Sequence, residues 1–228
     1  IKWEHAATLE LKPLFADVPA DFTVLFDIQI GAVTLARRLK DFTGCKVGIL
    51  VHDMDSLMEV INLIKDNDSV GIIIGSIQGT IQEQLESILR DMEYFLLKIE
   101  DNPSFEHNMF LKTYVGRNYF LEIAKHRAIR LMWRAVNAKH NFTNTGKIRL
   151  ISEILLEDVA NTDDDNKLLR ATTEAMSAAV GGSAFISIPP FDSVFKDDRK
   201  YRIARNISTI LKEEGHLDKV LDPSAGSY

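Results

Sequence analysis

The sequence predicts an α/β fold built on a parallel sheet, and two observations carry this prediction. Short runs rich in Val, Ile and Leu alternate with longer segments whose apolar residues recur at helical spacing. The short runs are apolar throughout, as is typical of strands that are covered on both faces. Six strand–helix units succeed one another, and right-handed crossovers of this kind give either a doubly wound sheet or a barrel. The pattern alone leaves these two architectures open.

The first half of the chain contains three of these units. Strands are predicted over residues 23–28, 46–51 and 70–75. Helical spacing follows each of them, up to Gly44 after the first strand and over residues 81–99 after the third. The second helix is predicted to begin near Asp55 or Ser56, either of which could cap it. Its predicted buried face consists of Leu57, Val60, Ile61 and Ile64.

The second half repeats the scheme, with strands predicted over residues 109–114, 147–154 and 184–188. Helices are predicted over residues 118–138, 166–180 and 199–214. Gly181 and Gly182 end one helix, and Pro189 and Pro190 end the strand that follows it. The helix over residues 118–138 is predicted to bury Phe120, Ile123, Ala124, Ala128, Leu131, Met132 and Ala135. The last helix is predicted to bury Ile203, Ile207, Ile210 and Leu211.

Composition excludes several classes of protein. The 228 residues include 27 Lys+Arg against 33 Asp+Glu, a net charge of −6, which argues against a binder of nucleic acid or of anionic membranes. No apolar stretch approaches the ~20 residues that a membrane helix needs. The single cysteine, Cys45, cannot form an intrachain disulfide. A reducing cytoplasm is therefore the simplest expected location.

Motifs of the common enzyme classes are absent from the sequence, which lacks GxGxxG, GxxxxGK[ST] and GxSxG. The histidines are scattered without metal-binding spacing, so no metal site is expected. His52 and Asp53 follow a predicted strand at its carboxyl end, where site residues cluster in α/β folds. A helix-capping Asp beside an exposed His is the preferred explanation.

A basic stripe is formed by Arg127, Arg130 and Arg134, which share one predicted helix. Such a stripe can bind phosphates of a cofactor or an acidic partner. A solvated ridge, or one that faces a partner protein, is the preferred interpretation.

Three stretches in the second half form a more specific pattern. Residues 118–133 read NYFLEIAKHRAIRLMW, residues 169–182 read LRATTEAMSAAVGG, and residues 202–206 read RIARN, followed by DPSAGSY at residues 222–228. In this order they resemble the cobalamin-dependent acyl-CoA mutases, above all the methylmalonyl-CoA mutase family. The resemblance covers about residues 115–228. In the first half, residues 81–94 resemble the family's VQEL…VEYL helix more weakly.

The resemblance implies a (β/α)8 TIM-type barrel with parallel strands and helices outside, expected here to be incomplete. Residues 1–228 would be a single barrel domain without the family's C-terminal cobalamin-type domain. In the family, the CoA thioester threads through the barrel axis. The family reaction is a radical rearrangement of the carbon skeleton that depends on adenosylcobalamin.

Departures from the family pattern indicate which kind of member this is. The Tyr-His pair that precedes the VQEL helix in active members is missing from residues 72–79, and only Arg149 remains of their RxHxQTSGWS segment. Residues 183–189 read SAFISIP where active members have TQSLHTN. The helix-packing segments are retained while the polar lining is lost, which resembles the small, non-catalytic (beta-type) subunit. The run SIPPFD at residues 187–192 also resembles that subunit.

The resemblance therefore implies the small subunit of a heterodimeric, adenosylcobalamin-dependent methylmalonyl-CoA mutase, a cytoplasmic isomerase of propionate metabolism. A catalytic large subunit would bind the CoA ester and the cofactor. The DxHxxG motif of the family's cobalamin-binding domain does not occur in this chain. No catalytic, cofactor-binding or metal-binding residue is expected in this chain. One alternative is an active barrel that binds a CoA ester through Arg117, Phe120 and Arg149. Another is a stand-alone barrel that serves as an interaction module.

Overall fold

A computed structural model gives the conformation of most of the chain. It describes residues 23–26, 32–39, 46–51, 54–64, 66–67, 70–75, 77–100, 109–140, 142, 148–155, 164–189, 198–220 and 222–225. Cys45, His52 and Asp53 lie outside these ranges.

Strands and helices alternate along the described residues, as the sequence predicts. The strands are β1 (Thr23–Phe26), β2 (Lys46–Val51), β3 (Val70–Gly75), β4 (Met109–Val115), β5 (Arg149–Ile154) and β6 (Phe185–Ser187). The helices are α1 (Ala32–Leu39), α2 (Leu57–Ile64), α3 (Ile81–Lys98), α4 (Tyr119–Lys139), α5 (Asp164–Val180) and α6 (Asp198–Glu213). Short 3-10 turns occupy Met54–Ser56 and Pro223–Ala225.

The strand order distinguishes the two architectures that the pattern left open. The described strands follow one another in the sheet as β1-β2-β3-β4-β5-β6. The pairs β1/β2, β2/β3 and β5/β6 are parallel, with Val47 opposite Val70 and Glu153 opposite Ser187. A doubly wound sheet reverses its order at a switch point, whereas a barrel does not. The fold is therefore α/β in the succession of an incomplete TIM-type barrel, as the resemblance implied.

Helix starts follow from local capping. The hydroxyl of Thr80 accepts a hydrogen bond from the backbone N–H of Glu83 at 3.3 Å, and the Glu83 carboxylate accepts one from the Thr80 N–H at 2.8 Å. This reciprocal pair is a capping box and sets the start of α3. Asn118 caps α4 through its side-chain oxygen, which accepts from the Leu121 N–H at 3.3 Å. None of the described helices is long and apolar enough to cross a bilayer.

The chain divides into two compact units. The first contains residues 1–75, 87–111 and 133–148, and the second contains residues 76–86, 112–132 and 149–228. In the first unit, the predicted buried face of α2 is confirmed, since Leu57, Val60, Ile61 and Ile64 are all buried. The strand residues of β2 and β3 are buried almost throughout, which explains why their sequences lack polar alternation.

The second unit has a core of small side chains. Val115 and Ile154 pack with Ala171, Ala175, Ala178, Ala204 and Ile207. Alanines on one face of α5 bring that helix close to the sheet. Ile207 is buried as predicted, but Ile203 and Ile210 are 38% and 48% exposed, so the predicted buried face of α6 is wrong at these two positions.

The predicted buried face of α4 is largely wrong. Phe120 and Leu131 are 78% and 63% exposed, whereas Glu122, Lys125 and His126 are almost fully buried. Ala124 and Ala135 are also exposed, and only Ile123 of the predicted set is buried. Apolar periodicity assumes that a buried face is apolar. Here the buried face is polar in the first turns, where Glu122, Lys125 and His126 bind one another and the sheet, and it becomes mainly apolar further along, at Ile129, Trp133 and Val136.

Candidate functional site

The strands of the second unit present two faces with different chemistry. Successive residues of a strand point to opposite sides. Val115 and Ile154 pack against alanines of α5, while Thr113 and Ser152 contact side chains of α3 and α4. The intervening residues, among them Lys112 and Glu153, therefore lie on the face away from the helices. In a (β/α)8 barrel, that face is the interior.

On the helix side, Lys125 is the centre of a buried polar cluster. Its ammonium group lies 2.6 Å from the Glu122 carboxylate and donates hydrogen bonds to Gln84 Oε1 at 3.1 Å and to the Tyr114 carbonyl. Thr113 also donates to Gln84 Oε1, at 3.2 Å. Burial lowers the pKa of Lys125, and the neighbouring Glu122 charge opposes that shift. The cluster joins α3, β4 and α4 through directional contacts.

A second buried network joins α4 to β5. His126 Nδ1 lies 2.6 Å from the Glu122 carbonyl, which can only accept, so Nδ1 carries the proton. His126 Nε2, at 2.7 Å, then accepts from the Ser152 hydroxyl, which lies 2.5 Å from the Ser183 hydroxyl. Burial lowers the pKa of His126 to about 4, so the ring is neutral at physiological pH. Gly181 leaves room for this ring, because a Cβ there would lie 2.9 Å from the ring carbon Cγ.

Two buried carboxyls lie at the carboxyl end of β4. Glu122 Oε1 lies 3.3 Å from the position that a Cβ on Gly116 would occupy. Glu174 on α5 is only 5% exposed, and its Oε2 is buried without a hydrogen bond from any described residue. Burial raises the pKa of Glu174 to about 7, the Arg117 and Arg170 charges oppose that rise, and Glu122 adds to it. A carboxyl that changes charge near neutral pH thus lies beside the β4–α4 junction.

The face away from the helices holds an ion pair. Lys112 Nζ lies 2.6 Å from Glu153 Oε2, with 7% of the Lys112 side chain and 26% of the Glu153 side chain exposed. The same ammonium lies 5.1 Å from the centre of the Tyr114 ring, within the range of a cation–π contact. Opposite charges on neighbouring strands thus bind each other on the face that is interior in a barrel.

The predicted substrate-binding residues do not converge. Arg117 and Phe120 are exposed where β4 passes into α4, and the Phe120 ring contacts Tyr119 edge to face at 5.3 Å. Arg149 is partly buried and is the first residue of β5. The carboxyl ends of the two strands are level, because the Leu155 N–H donates to the Val115 carbonyl. Arg149 therefore lies about 20 Å along the strand from Arg117.

The basic stripe of α4 binds its own chain. Arg127 donates to Asp222 at 3.1 Å and to the Ser224 hydroxyl at 2.6 Å. Arg130 donates to the Gly182 carbonyl at 2.5 Å, just after the end of α5. Two of the three arginines of the stripe therefore bind the DPSAGSY segment and the double-glycine turn of their own chain. Arg134 is exposed.

Sequence reasoning missed the buried charges. Glu122, Lys125 and His126 are spaced i, i+3 and i+4, which puts them on one helix face. This spacing could have indicated a polar cluster on one face of the helix, but the hydropathy of these residues predicted that the face is exposed to solvent. Among the described residues there is no group of three or more His, Cys, Asp and Glu that could hold a metal ion.

Comparison with known proteins identifies the family of this chain. A family model described as Methylmalonyl-CoA mutase matches residues 98–228, more than half of the chain. The methylmalonyl-CoA mutase small subunit of Porphyromonas gingivalis is 44% identical over 119 residues, which cover 50% of this chain and 19% of that protein. The small subunit of Streptomyces virginiae is 38% identical over 111 residues, covering 48% of this chain and 18% of that one.

Methylmalonyl-CoA mutase of Cereibacter sphaeroides is 36% identical over 118 residues, 50% of this chain and 17% of that protein. The matched region thus spans less than a fifth of each of these relatives. A solved structure of a putative deoxyribose-phosphate aldolase from Coccidioides immitis aligns over 85% of this chain and 68% of that chain, at 12% identity and a TM-score of 0.44. A TM-score of 0.44 is too low to support an inference about fold or function. The matched family model covers the region where the four sequence motifs occur, and the chain belongs to the methylmalonyl-CoA mutase family, with similarity to its small-subunit type.

Proposed function

We propose that this chain is a small subunit with a structural role, which supports a catalytic large subunit of an adenosylcobalamin-dependent methylmalonyl-CoA mutase. The observation that carries the proposal is the Lys112–Glu153 ion pair at 2.6 Å. It lies on the strand face that forms the interior of a (β/α)8 barrel, where a CoA ester threading the axis would have to pass. Two charged groups that already neutralise each other there gain little free energy by binding a substrate.

The cofactor is proposed to be held by the partner. His126 is fully buried with both ring nitrogens in hydrogen-bond contact, so its imidazole is not available to a metal. His216, the other described histidine of the second unit, is exposed in a loop with φ of 50°. His126 is therefore not available as a cobalamin ligand, which supports a cofactor held by the partner, and no step of the chemistry is assigned to this chain.

The chain is proposed to lie in the cytoplasm, and the heterodimer is proposed to act in propionate metabolism.

Affinity capture of the tagged full chain from its native lysate tests the partner. We expect a larger mutase subunit in about 1:1 ratio, and methylmalonyl-CoA isomerisation in the captured complex. The chain alone, supplied with methylmalonyl-CoA and adenosylcobalamin, should give no turnover and no spectrum of bound cobalamin. Turnover by the chain alone would overturn the structural role. A monomer without any mutase subunit would instead favour a stand-alone interaction module.

The second candidate is a barrel that binds a CoA ester itself. The observation that favours it is the joint exposure of Arg117 and Phe120 at the carboxyl end of β4, the edge where barrel enzymes bind their ligands. An arginine suits a phosphate or carboxylate, and an exposed aromatic ring suits an adenine. Calorimetric titration of the chain with methylmalonyl-CoA tests it, with Arg117→Ala and Arg149→Ala as variants and Arg37→Ala, on helix α1 of the first unit, as control. Lack of heat at millimolar ligand excludes this candidate.

A further inference from the structure

The first half of helix α4 turns its polar side inward and its apolar side outward. Lys125 and His126 are 1% and 0% exposed, whereas Phe120, Leu121 and Leu131 are 78%, 51% and 63% exposed. A surface helix ordinarily turns its apolar stripe toward the core of its own domain. In these turns the polar groups occupy the core side instead, and the large apolar side chains are left exposed.

The exposed apolar residues form one strip along the helix. Phe120, Ala124 and Leu131 follow one another at intervals of four and seven residues, which places them on one side of α4. Ala124 is exposed like the other two, and Leu121 lies beside Phe120. We call these four residues the outer strip. Contiguous exposed apolar surface marks an interaction site, and phenylalanine is enriched at the centres of protein interfaces.

One edge of the outer strip is basic. Arg127 and Arg134 are exposed and lie seven residues apart on α4, while Glu122, the one acidic residue in the sequence of this helix, is buried. Asp222 offsets the charge of Arg127 across 3.1 Å, and the charge of Arg134 remains. The chain as a whole has a net charge of −6, so this edge has the opposite sign. A complementary partner surface has carboxylates beside apolar side chains.

A second copy of the chain fits this edge poorly. In an antiparallel two-fold pairing of the outer strip with itself, Arg127 and Arg134 of both copies would lie along the same edge and repel one another. The strip also needs neighbours, because a helix of 21 residues is about 30 Å long and a stable interface buries roughly 800 Å² per partner. Helix α5 of the second unit exposes Leu169 and Met176, seven residues apart, as further apolar surface.

We propose that the outer strip and Arg134 dock against the catalytic large subunit, which presents apolar side chains flanked by carboxylates. This inference rests on the proposed function, since it takes the large subunit as the partner. The apolar side chains of α4 are then buried in the heterodimer, while the polar side of the same helix binds the sheet of its own chain. The outer strip forms the apolar centre of the interface, and Arg134 lies at its rim.

Sedimentation velocity of the co-expressed heterodimer over a dilution series tests the apolar contact. Leu131→Ser should raise the dissociation constant about 10- to 100-fold, the loss expected when a fully buried leucine is removed. Leu97→Ser is the matched control, because Leu97 on α3 is similarly exposed, at 54%. It should change the dissociation constant less than about threefold.

The same measurement tests the charge. Arg134→Glu should raise the dissociation constant at least about tenfold at low salt, because it places a carboxylate opposite the carboxylates of the partner. Arg134→Lys keeps the charge, so it should stay within about threefold of the wild type. The difference between the two variants should shrink as salt is added.

Hydroxyl-radical footprinting of the wild type needs no variant. Phe120 and Leu131 should be oxidised more slowly in the heterodimer than in the chain alone, while Leu97 should be oxidised at the same rate in both. If the heterodimer forms but Leu131→Ser and Arg134→Glu dissociate like Leu97→Ser, this docking surface is wrong and the proposed function stands. If the wild-type chain forms no heterodimer, both are wrong.

Two other outcomes would overturn the proposal in favour of a different occupant. Concentration-dependent protection of Phe120 in the chain alone would assign the outer strip to a second copy. Binding of the chain alone to phosphatidylserine vesicles, abolished by Leu131→Ser, would assign it to an anionic membrane surface.

Discussion

Breaking the Lys112–Glu153 ion pair tests whether Lys112 lies on a strand face that is shielded from solvent. Its charged atoms are 2.6 Å apart, and at an effective dielectric constant near 20 the gross attraction is about 6 kcal/mol. Much of this is offset by the cost of removing both charges from water. Glu153→Gln removes the negative charge and leaves the buried Lys112 ammonium without that counter-charge, 5.1 Å from the centre of the Tyr114 ring. Since Glu153 retains 26% exposure, we expect a loss of about 2–4 kcal/mol in the free energy of unfolding.

A double-mutant cycle separates the pair from its surroundings. Lys112→Met, Glu153→Gln and the double variant are unfolded in urea, and we expect a coupling energy of about 2 kcal/mol. Arg37 and Glu59 form the matched control, with charged atoms 2.5 Å apart but side chains 64% and 52% exposed. Their coupling should be at most about 1 kcal/mol and should fall in 1 M salt, while that of the buried pair should persist. Equal couplings, or equal loss of both in salt, would refute the assignment of Lys112 to a shielded interior face.

Three further outcomes follow from the second unit. Because the pKa of Glu174 is raised to about 7 from 4.5, the folded state binds its proton more tightly, so wild-type stability should fall as the pH rises from about 4.5 to 7. Glu174→Gln should remove this slope and be up to about 3 kcal/mol more stable at pH 8, measured by urea unfolding across pH; an unchanged slope contradicts it. Ser152→Ala removes the donor to His126 Nε2 and should cost about 1–3 kcal/mol, whereas the exposed Phe120→Ser should cost under about 0.5 kcal/mol, both by thermal unfolding. Gly182→Ala should cost about 1–2 kcal/mol, because its φ is +82° and a Cβ would meet the Arg130 guanidinium; a loss within error would contradict the strain.

The strand and helix succession could be predicted because each element has a strong local signal. β3 is a continuous apolar run between turns, and α3 starts at a Thr80–Glu83 capping box that is written in the sequence as T-x-x-E. The barrel order of the strands needed more than this. Periodicity allows two topologies, and only the four motifs of the second half favoured the barrel.

The polar interior of the second unit could not be predicted, because it depends on pairing between distant segments. Whether Lys125 is buried depends on Gln84, which lies 41 residues away along the chain. Lys112 could be assigned to a strand but not to a face, since a one-residue shift of register exchanges the faces. Arg149 was predicted from the family motif alone, although the strand predicted over residues 147–154 already puts it near the amino end, away from the carboxyl end where Arg117 follows β4.

The buried polar groups in the first turns of α4 determine how that helix packs on the sheet. Apolar contacts are non-directional and tolerate a small slide, but hydrogen bonds weaken steeply when their angles change. Moving α4 by one residue would rotate it by about 100° and shift it by about 1.5 Å. Such a step would separate Lys125 from Gln84 and His126 from Ser152 together. The helix therefore has a single permitted register on the sheet, so Arg117 and the rest of the β4–α4 corner are held at a defined place and orientation.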